Sequence, residues 1–317
     1  MTRIVLAYSG SLDSSIAIPW LAERHGAEII AVTMDLGQGK EVLEEIRDRA
    51  LATGALRAHV VDSRDQYLRD YILRGLRAGM LSHRGVSMAD ALAIPLVAEK
   101  LVEIARIEQV DAVAHADRGG SAAPIHRILQ AIDRKLEVLA PAGDWDMTPP
   151  QLVEYARQRN VLLPASMIGG VAVRTSGPLP GEPASVDATF ERGIPIAANG
   201  VVMPLADLIS SLDILTMAHG IERSALGALH MAHAALCHAA LSTDAGAFSA
   251  QVADQYVRVL RDGSWFSPLR HALDAFTDAI QQRVGGTVGL KLFKGECVVV
   301  SAHVAPLRPV TITVAKA

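Results

Sequence analysis

The stretch Ala7-Tyr8-Ser9-Gly10-Ser11-Leu12-Asp13-Ser14-Ser15 places four serines and a carboxylate around one glycine, directly after the apolar run Ile4-Val5-Leu6. Hydroxyls at that density beside a glycine suit the holding of an anion. A chain that leaves a strand, turns and opens a helix aims several backbone N–H groups and the positive end of the helix dipole at one point. Ser9, Ser14 and Ser15 add hydroxyl donors there. The spacing is neither GxxxxGK[ST] nor GxGxxG. On spacing alone the loop is either a phosphate cradle or a well-capped helix start. A second polar group, His230, His233 and Cys237 with His238 adjacent, falls on one helical face. That spacing fits either a metal site or core packing.

The elements that must position the first loop can be read from periodicity. Runs at Arg3–Ala7, Glu28–Met34, Ala58–Asp62, Asp111–His115 and Glu137–Ala140 read as strands. Helical patterns lie between them at Ser14–Arg24, Lys40–Ala52, Arg64–Leu73, Ala91–Ile107 and Ile125–Arg134. Such alternation predicts an α/β, doubly wound parallel sheet, whose ligands bind beyond the carboxyl ends of the strands. The loops of interest are therefore Ser9–Asp13, Asp35–Lys40 and Ala116–Pro124. The amino terminus itself is too short for a signal peptide and reads as an edge-of-domain strand. Thr148-Pro149-Pro150-Gln151 predicts a capped start for a helix over Gln151–Gln158.

Gly177–Pro183, with three prolines and two glycines, is the best linker candidate. Two domains are expected, 1–176 and 177–317, the second of α+β type. Its strands are predicted near Val186–Glu191, Ile194–Ala198, Thr287–Phe293, Cys297–Ala302 and Val310–Val314. Its helices are predicted at Pro204–His219, Ala225–Leu241, Phe248–Arg261 and Pro268–Gln282. Asn199-Gly200 and Lys294-Gly295 supply hairpin turns.

With 317 residues, half of them hydrophobic, and mean hydropathy +0.26, the chain can bury a full core. Even the apolar segment Ala225–Leu241 carries His230, His233 and His238, so no membrane span is expected. A net charge of −4 and 4% aromatics argue against nucleic acid as a partner. Cys237 and Cys297 form no CxxC pair, which points away from disulfides and redox motifs and toward a cytoplasmic location.

Ser9–Ser15 resembles the SGGxD[ST]S pyrophosphate loop (PP-loop) of the N-type ATP pyrophosphatases. Longer context narrows the resemblance to the argininosuccinate synthase family. Its AYSGGLDTS resembles Ala7–Ser15, its D-[IL]-G-Q resembles Asp35-Leu36-Gly37-Gln38, and its LARPLIAKKLVEIA resembles Leu92–Ala105. Phe190–Gly200 and Gly263–Gly295 are similar to segments of its second half. The resemblance implies a Rossmann-like, adenine nucleotide alpha hydrolase-like first domain, ATP with Mg2+, an AMP- and pyrophosphate-forming ligation, and core packing, with no metal bound, for His230, His233 and Cys237. In that reaction a ureido oxygen attacks the α-phosphate, pyrophosphate leaves, and an amine displaces AMP. Positioning and charge neutralisation matter more there than a strong base, and no catalytic residue is singled out. The resemblance assigns Ala7, Tyr8, Ser9, Gly10, Ser11, Leu12, Asp13, Ser14 and Ser15 to the pyrophosphate, Met34 to the adenine, and His115 with Gly119 to a second nucleotide loop.

Departures from the family pattern shape the remaining expectations. Ser11 stands where the family has its second glycine; if that position needs a left-handed backbone, serine costs roughly 1 kcal/mol. The family loop HGATGKGNDQVR corresponds to His115–His126, with Thr replaced by Arg118, Lys by Gly120, Asn by Ala122, Asp by Ala123 and Arg by His126. Loss of three charge-assisted hydrogen bonds weakens substrate binding by about 5–9 kcal/mol, so citrulline with aspartate is not the expected pair. Val86, Ala91 and Ile94 replace further polar positions. Arg118, Ala122, His126, Ser166 and Thr175 are the candidate substrate residues. Arg118, His126 and Arg127 could grip an acidic group or form a solvated basic edge.

The expected partners are a small-molecule amine and a carbonyl-type acceptor, and the expected assembly is a homo-oligomer, a dimer. The main alternative is a catalytically silent binding or scaffold protein. A tRNA-thiolating relative is disfavoured by the missing cysteine pair.

Overall fold

The computed structural model describes residues 2–118, 122–145, 147–162, 179–221 and 225–306. Ile4, Val5 and Leu6, each no more than 1% exposed, form the centre of β1 (Arg3–Ala7). A strand so apolar needs cover on both faces, which parallel sheets with crossover helices provide. β1 is the middle strand of its sheet, whereas its place at the amino terminus reads as an edge-of-domain strand. The chain continues through α1 (Leu12–His25), β2 (Glu28–Asp35), α2 (Lys40–Ala52) and β3 (Arg57–Asp62). After α3 (Arg64–Gln66) comes a π-helical stretch, Tyr67–Ile72, and then α4 (Leu73–Arg77). The sequence pattern predicts a single helix over Arg64–Leu73, and the structure breaks it at the π-helical stretch.

β4 (Ser82–His83) and β5 (Val86–Ser87) pair as a short ribbon. They precede α5 (Ala89–Glu108), β6 (Ala112–Ala114), α6 (Ala122–Ile132), β7 (Glu137–Leu139), α7 (Pro141–Asp144) and α8 (Pro149–Gln158). The five parallel strands run β3-β2-β1-β6-β7. At the start of α8 the Thr148 N–H donates to Gln151 Oε1 at 2.8 Å, the reciprocal half of the expected capping box.

Two compact units divide the chain. One comprises Met1–Ile72, Met88–Thr175 and Gln255–Ala272; the other comprises Leu73–Ser87, Ser176–Asp254 and Leu273–Ala317. Both are discontinuous, whereas the expected domains 1–176 and 177–317 were single segments.

The second unit holds an antiparallel sheet ordered β10-β9-β8-β11-β12. Its strands are β8 (Ala184–Glu191), β9 (Ile194–Ala198), β10 (Val201–Val202), β11 (Gly286–Phe293) and β12 (Glu296–Val304). The helices of the second half are α9 (Leu205–Ala218), α10 (Ala225–Ala240), α11 (Thr243–Arg261) and α12 (Pro268–Gln281). α11 starts five residues before the expected Phe248, because the Ser242 hydroxyl caps it at Ala245 N–H (3.4 Å) and so permits Gly246 in the first turn. Four hairpins among the described residues carry paired positive φ angles: Arg192-Gly193 (53°, 73°), Arg84-Gly85 (51°, 79°), Asn199-Gly200 (49°, 77°) and Lys294-Gly295 (47°, 86°). The first two escaped the sequence pattern because arginine is an uncommon left-handed residue. Val310–Val314 lies outside the described residues.

In each unit a buried ionisable side chain is tied into a hydrogen-bonded cluster. In the first, Glu108 at the end of α5 has a side chain 6% exposed and meets Arg57 Nη1 at 2.7 Å, His59 Nε2 at 3.0 Å and Arg3 Nη1 at 3.4 Å. Burial pushes its pKa up, but the hydrogen bonds and charges of Arg57 and His59 win, leaving it below the ordinary glutamate value. In the second, His233 on α10 shares a hydrogen bond with Gln281 Oε1 (2.9 Å), while Gln281 Nε2 donates to Arg77 O (2.8 Å). Burial lowers the His233 pKa to about 4. His233 and Cys237 therefore belong to a hydrogen-bonded interior patch, with Cys237 Sγ 3.6 Å from His233 Nε2.

Both anchors make the protein acid-labile, in different windows. The unfolded chain protonates His233 near its ordinary value of about 6.5 while the folded chain resists until about 4. Stability contributed by this group therefore falls as pH drops through that interval. Glu108 adds a loss at lower pH, as acid protonates a carboxylate whose folded pKa is depressed. Thermal melts between neutral pH and pH 4 are expected to show a steadily falling midpoint, with a flatter profile for His233→Asn. At neutral pH, Glu108→Gln is expected to cost about 1–3 kcal/mol in denaturant unfolding, since the partnering arginines stay partly solvated.

Candidate nucleotide site

Strand order reverses between β1 and β6: from β1 the chain proceeds to β2 and β3 on one side, and β6 and β7 lie on the other. The loops leaving β1 and β6 must diverge, opening a crevice at the carboxyl ends of these strands. A cavity of about 340 Å³ lies there. Ala7, Tyr8, Ser9, Ser11 and Ser14 line it from the β1 loop, and Val32, Thr33, Met34, Leu36 and Gln38 from β2 and its loop. Asp90, Ala93, Ile94 and Val97 of α5, with Ile46, Ala116, Asp117 and Ile125, complete the wall.

The β1 loop turns at Gly10, whose φ is +74°. A Cβ there would stand 3.0 Å from Ile46 Cγ1 and 3.1 Å from Arg49 Nη1, so the conformation favours glycine and the space beyond it is tight. Ser11, by contrast, has φ −69° and ψ 165°, extended backbone that any residue adopts. The strain cost considered for serine at this position therefore does not arise. Ser11 acts as the N-cap of α1: its Oγ accepts from Ser14 N–H at 3.3 Å and lies 3.1 Å from both Ser9 Oγ and Ser14 Oγ. Three hydroxyls thus converge on the first turn of the helix, where an anion's oxygens could take over the cap.

The remaining loop residues divide into walls and supports. Ser15 is fully buried, its Oγ 3.0 Å from the Tyr8 hydroxyl, and Leu12 packs against the core. The Tyr8 carbonyl accepts from Thr33 Oγ1 at 2.8 Å, tying β1 to β2. Asp13 accepts from Arg118 Nε at 2.9 Å, and the Arg118 guanidinium lies 5.1 Å from the centre of the Trp145 ring. Beneath the loop, Arg49 Nη1 donates to Gly10 O at 2.8 Å.

The Asp35-Leu36-Gly37-Gln38 motif braces itself around Met34. Gln38 Nε2 donates to Met34 O (2.9 Å), Gln38 Oε1 accepts from Leu36 N–H (2.6 Å), and Asp35 Oδ1 accepts from Gly37 N–H (2.9 Å). Gly37 at φ 105° and Gly39 at φ 95° supply the bends.

After β6, His115 is fully buried, and neither ring nitrogen has a hydrogen-bond partner among the described residues. Asp117 Oδ2 stands 3.6 Å from His115 Nδ1, too far for a hydrogen bond. Burial, then the nearby His126 charge, lowers the His115 pKa to about 4, so the ring is neutral near pH 7. Its edge meets His126 at a ring separation of 6.3 Å. His115, Ala122, His126 and Arg127 line a separate recess of about 280 Å³. The candidate substrate residues therefore split: Arg118 joins the β1 loop through Asp13, whereas Ala122 and His126 border the recess with His115. Gly119, Ser166 and Thr175 lie outside the described residues.

Two cavity carboxylates, Asp90 and Asp117, and the underlying Arg49 were not singled out by sequence pattern. Asp117 is pushed above the ordinary aspartate value by burial and by the charge of Asp13. Its one sequence signal was its place in a strand-to-helix loop at the switch point. The charged residues lining the cavity, among the described residues, are these two acids alone.

Comparison with known proteins closes on the same reading. Residues 3–162 match the family described as arginosuccinate synthase N-terminal HUP domain, and residues 174–306 match the arginosuccinate synthase C-terminal domain. Argininosuccinate synthase of Pelotomaculum thermopropionicum is 34% identical over 94% of this chain and 86% of its own length. The enzymes of Bacillus thuringiensis and Moorella thermoacetica are 32% and 33% identical, over 94% and 93% of this chain and 86% and 85% of their lengths. With the loop, the sheet order and the motifs in register, the chain belongs to the argininosuccinate synthase family.

Proposed function

We propose that the protein is an ATP-dependent ligase that adenylates a ureido, amide or carboxyl oxygen and joins it to an amine, releasing AMP and pyrophosphate, with a substrate pair other than citrulline and aspartate. The observation that carries this reading is the convergence of Ser9, Ser11 and Ser14 hydroxyls on the first turn of α1, opening into the switch-point cavity. That arrangement offers a triphosphate several donors and a helix dipole. Met34 lines the same cavity with apolar surface suited to a base.

Mg2+ would accompany the nucleotide and neutralise its charge. It commonly takes one or two carboxylates and completes its shell with phosphate oxygens and water; Asp13, on the first turn of α1, is the candidate. In the reaction the acceptor oxygen attacks the α-phosphorus, the bond to the β-phosphate oxygen breaks, and the amine then displaces AMP from the activated carbon. The residues present serve this by holding the nucleotide in line and by excluding water with the apolar wall of Ala93, Ile94, Val97 and Ile125. With Mg2+ neutralising the triphosphate, the charged side chains left on the cavity wall, among the described residues, are the acids Asp90 and Asp117, which favour an acceptor that is not itself an anion. Neutral or cationic acceptors smaller than citrulline fit best.

Calorimetry of the protein with ATP and Mg2+ is expected to show micromolar binding. Pyrophosphate release is expected with neutral or cationic members of a panel of ureido, amide and carboxylate acceptors paired with amines. Binding without release from any pair would instead favour the silent binding protein. Ser14→Ala is expected to weaken nucleotide binding about tenfold through a lost hydrogen bond. Ser11→Gly should change it less than about threefold, since glycine is also tolerated as an N-cap and Ser11 is unstrained.

A further inference from the structure

We infer that Arg49 is the positioning residue that turns the nucleotide loop's peptide groups toward the ligand. The inference rests on the nucleotide reading above. Arg49 does not line the cavity; it lies beneath the loop, near the carboxyl end of α2, with its side chain 9% exposed. One arm, Nη1, donates to Gly10 O at 2.8 Å, and another pairs with Glu45 one helical turn earlier. Glu45 is 67% exposed, so the arginine charge is buried while its counter-charge is solvated.

The consequence follows from peptide geometry. The described chain contains no cis peptide bond, and in a planar trans peptide the carbonyl and the following N–H point in opposite directions. Holding the Gly10 carbonyl down onto α2 therefore turns the Ser11 N–H up and away from it. Its partner there is Ser9 Oγ at 3.4 Å, a long contact. A stronger acceptor, such as a phosphate oxygen, would displace it.

Without Arg49 the Gly10 carbonyl would be free to rotate, because glycine at φ +74° has access to either hand. The loop could then present an oxygen where the ligand needs a donor. A charge-assisted bond from a planar guanidinium is directional enough to prevent this. Ile46, the other close neighbour of Gly10, packs but cannot hold a carbonyl.

The test compares wild type, Arg49→Met and Arg49→Lys by MgATP calorimetry well below each melting temperature, with the Ser11 amide followed by NMR in the nucleotide-free proteins. Arg49→Met is expected to bind at least about tenfold more weakly, with a shifted Ser11 amide signal. Arg49→Lys, retaining charge and one donor but not the fork, is expected to fall between. A lowered melting temperature with unchanged affinity and an unmoved amide signal would overturn the inference, leaving Arg49 a packing residue. If Arg49→Met does not fold, wild-type affinity and an unmoved Ser11 signal in Arg49→Lys overturn it equally. Failure of the wild type itself to bind MgATP would overturn the nucleotide reading, and this inference with it.

Discussion

Between Ala7, the last residue of β1, and Leu12, the first of α1, the chain has four residues in which to pass from a buried strand to a helix that faces a crevice. The left-handed turn at Gly10 makes that possible, with Ile46 and Arg49 close beside it and the Arg49 guanidinium donating to its carbonyl. Everything proposed for the molecule depends on this close approach. A side chain at position 10 would strain the left-handed backbone there and crowd Ile46 and Arg49. Placed as they are, the three serines lie at the topological switch of the sheet, where neighbouring loops leave room for a ligand.

The same geometry changes the meaning of Ser11. A family comparison presents it as a glycine lost from a glycine pair, and hence as a strained loop. The backbone shows one left-handed residue and one extended one, and serine occupies the extended position. Its hydroxyl then does what N-cap serines do, satisfying Ser14 N–H until a better acceptor arrives. The substitutions after β6 have larger consequences. Asp117 brings a carboxylate to the cavity wall, and Arg118 is drawn onto Asp13 and Trp145. The acceptor proposed above, neutral or cationic, is chosen to suit these two changes.

Much of the fold was legible because parallel strands and their helices leave strong periodic signals. Ile4-Val5-Leu6, the alternation along β8 and the Asn199-Gly200 turn each state their own structure. The features that escaped are those set by distant partners. The central place of β1 depends on which strands pair with it, and no local pattern encodes that. The π-helical stretch at Tyr67–Ile72 coincides with tyrosines whose hydroxyls reach Ala89 O (2.8 Å) and Glu99 Oε2 (2.9 Å) on α5. Within the site, the serines were legible from chemistry and spacing. Arg49 was not, since an arginine on the amphipathic α2 looks solvated until the loop above it is known. Asp117 was hidden for the same reason, as its role comes from the wall it joins.

The most direct measurement is a crystal structure of the protein grown or soaked with ATP and Mg2+. The account requires the triphosphate to rest on the first turn of α1, with phosphate oxygens accepting from Ser11 and Ser14 N–H, Gly10 O still on Arg49, and the adenine beside Met34. Nucleotide bound elsewhere, or a saturated crystal in which Ser11 Oγ still caps Ser14 and the cavity holds only water, would contradict it.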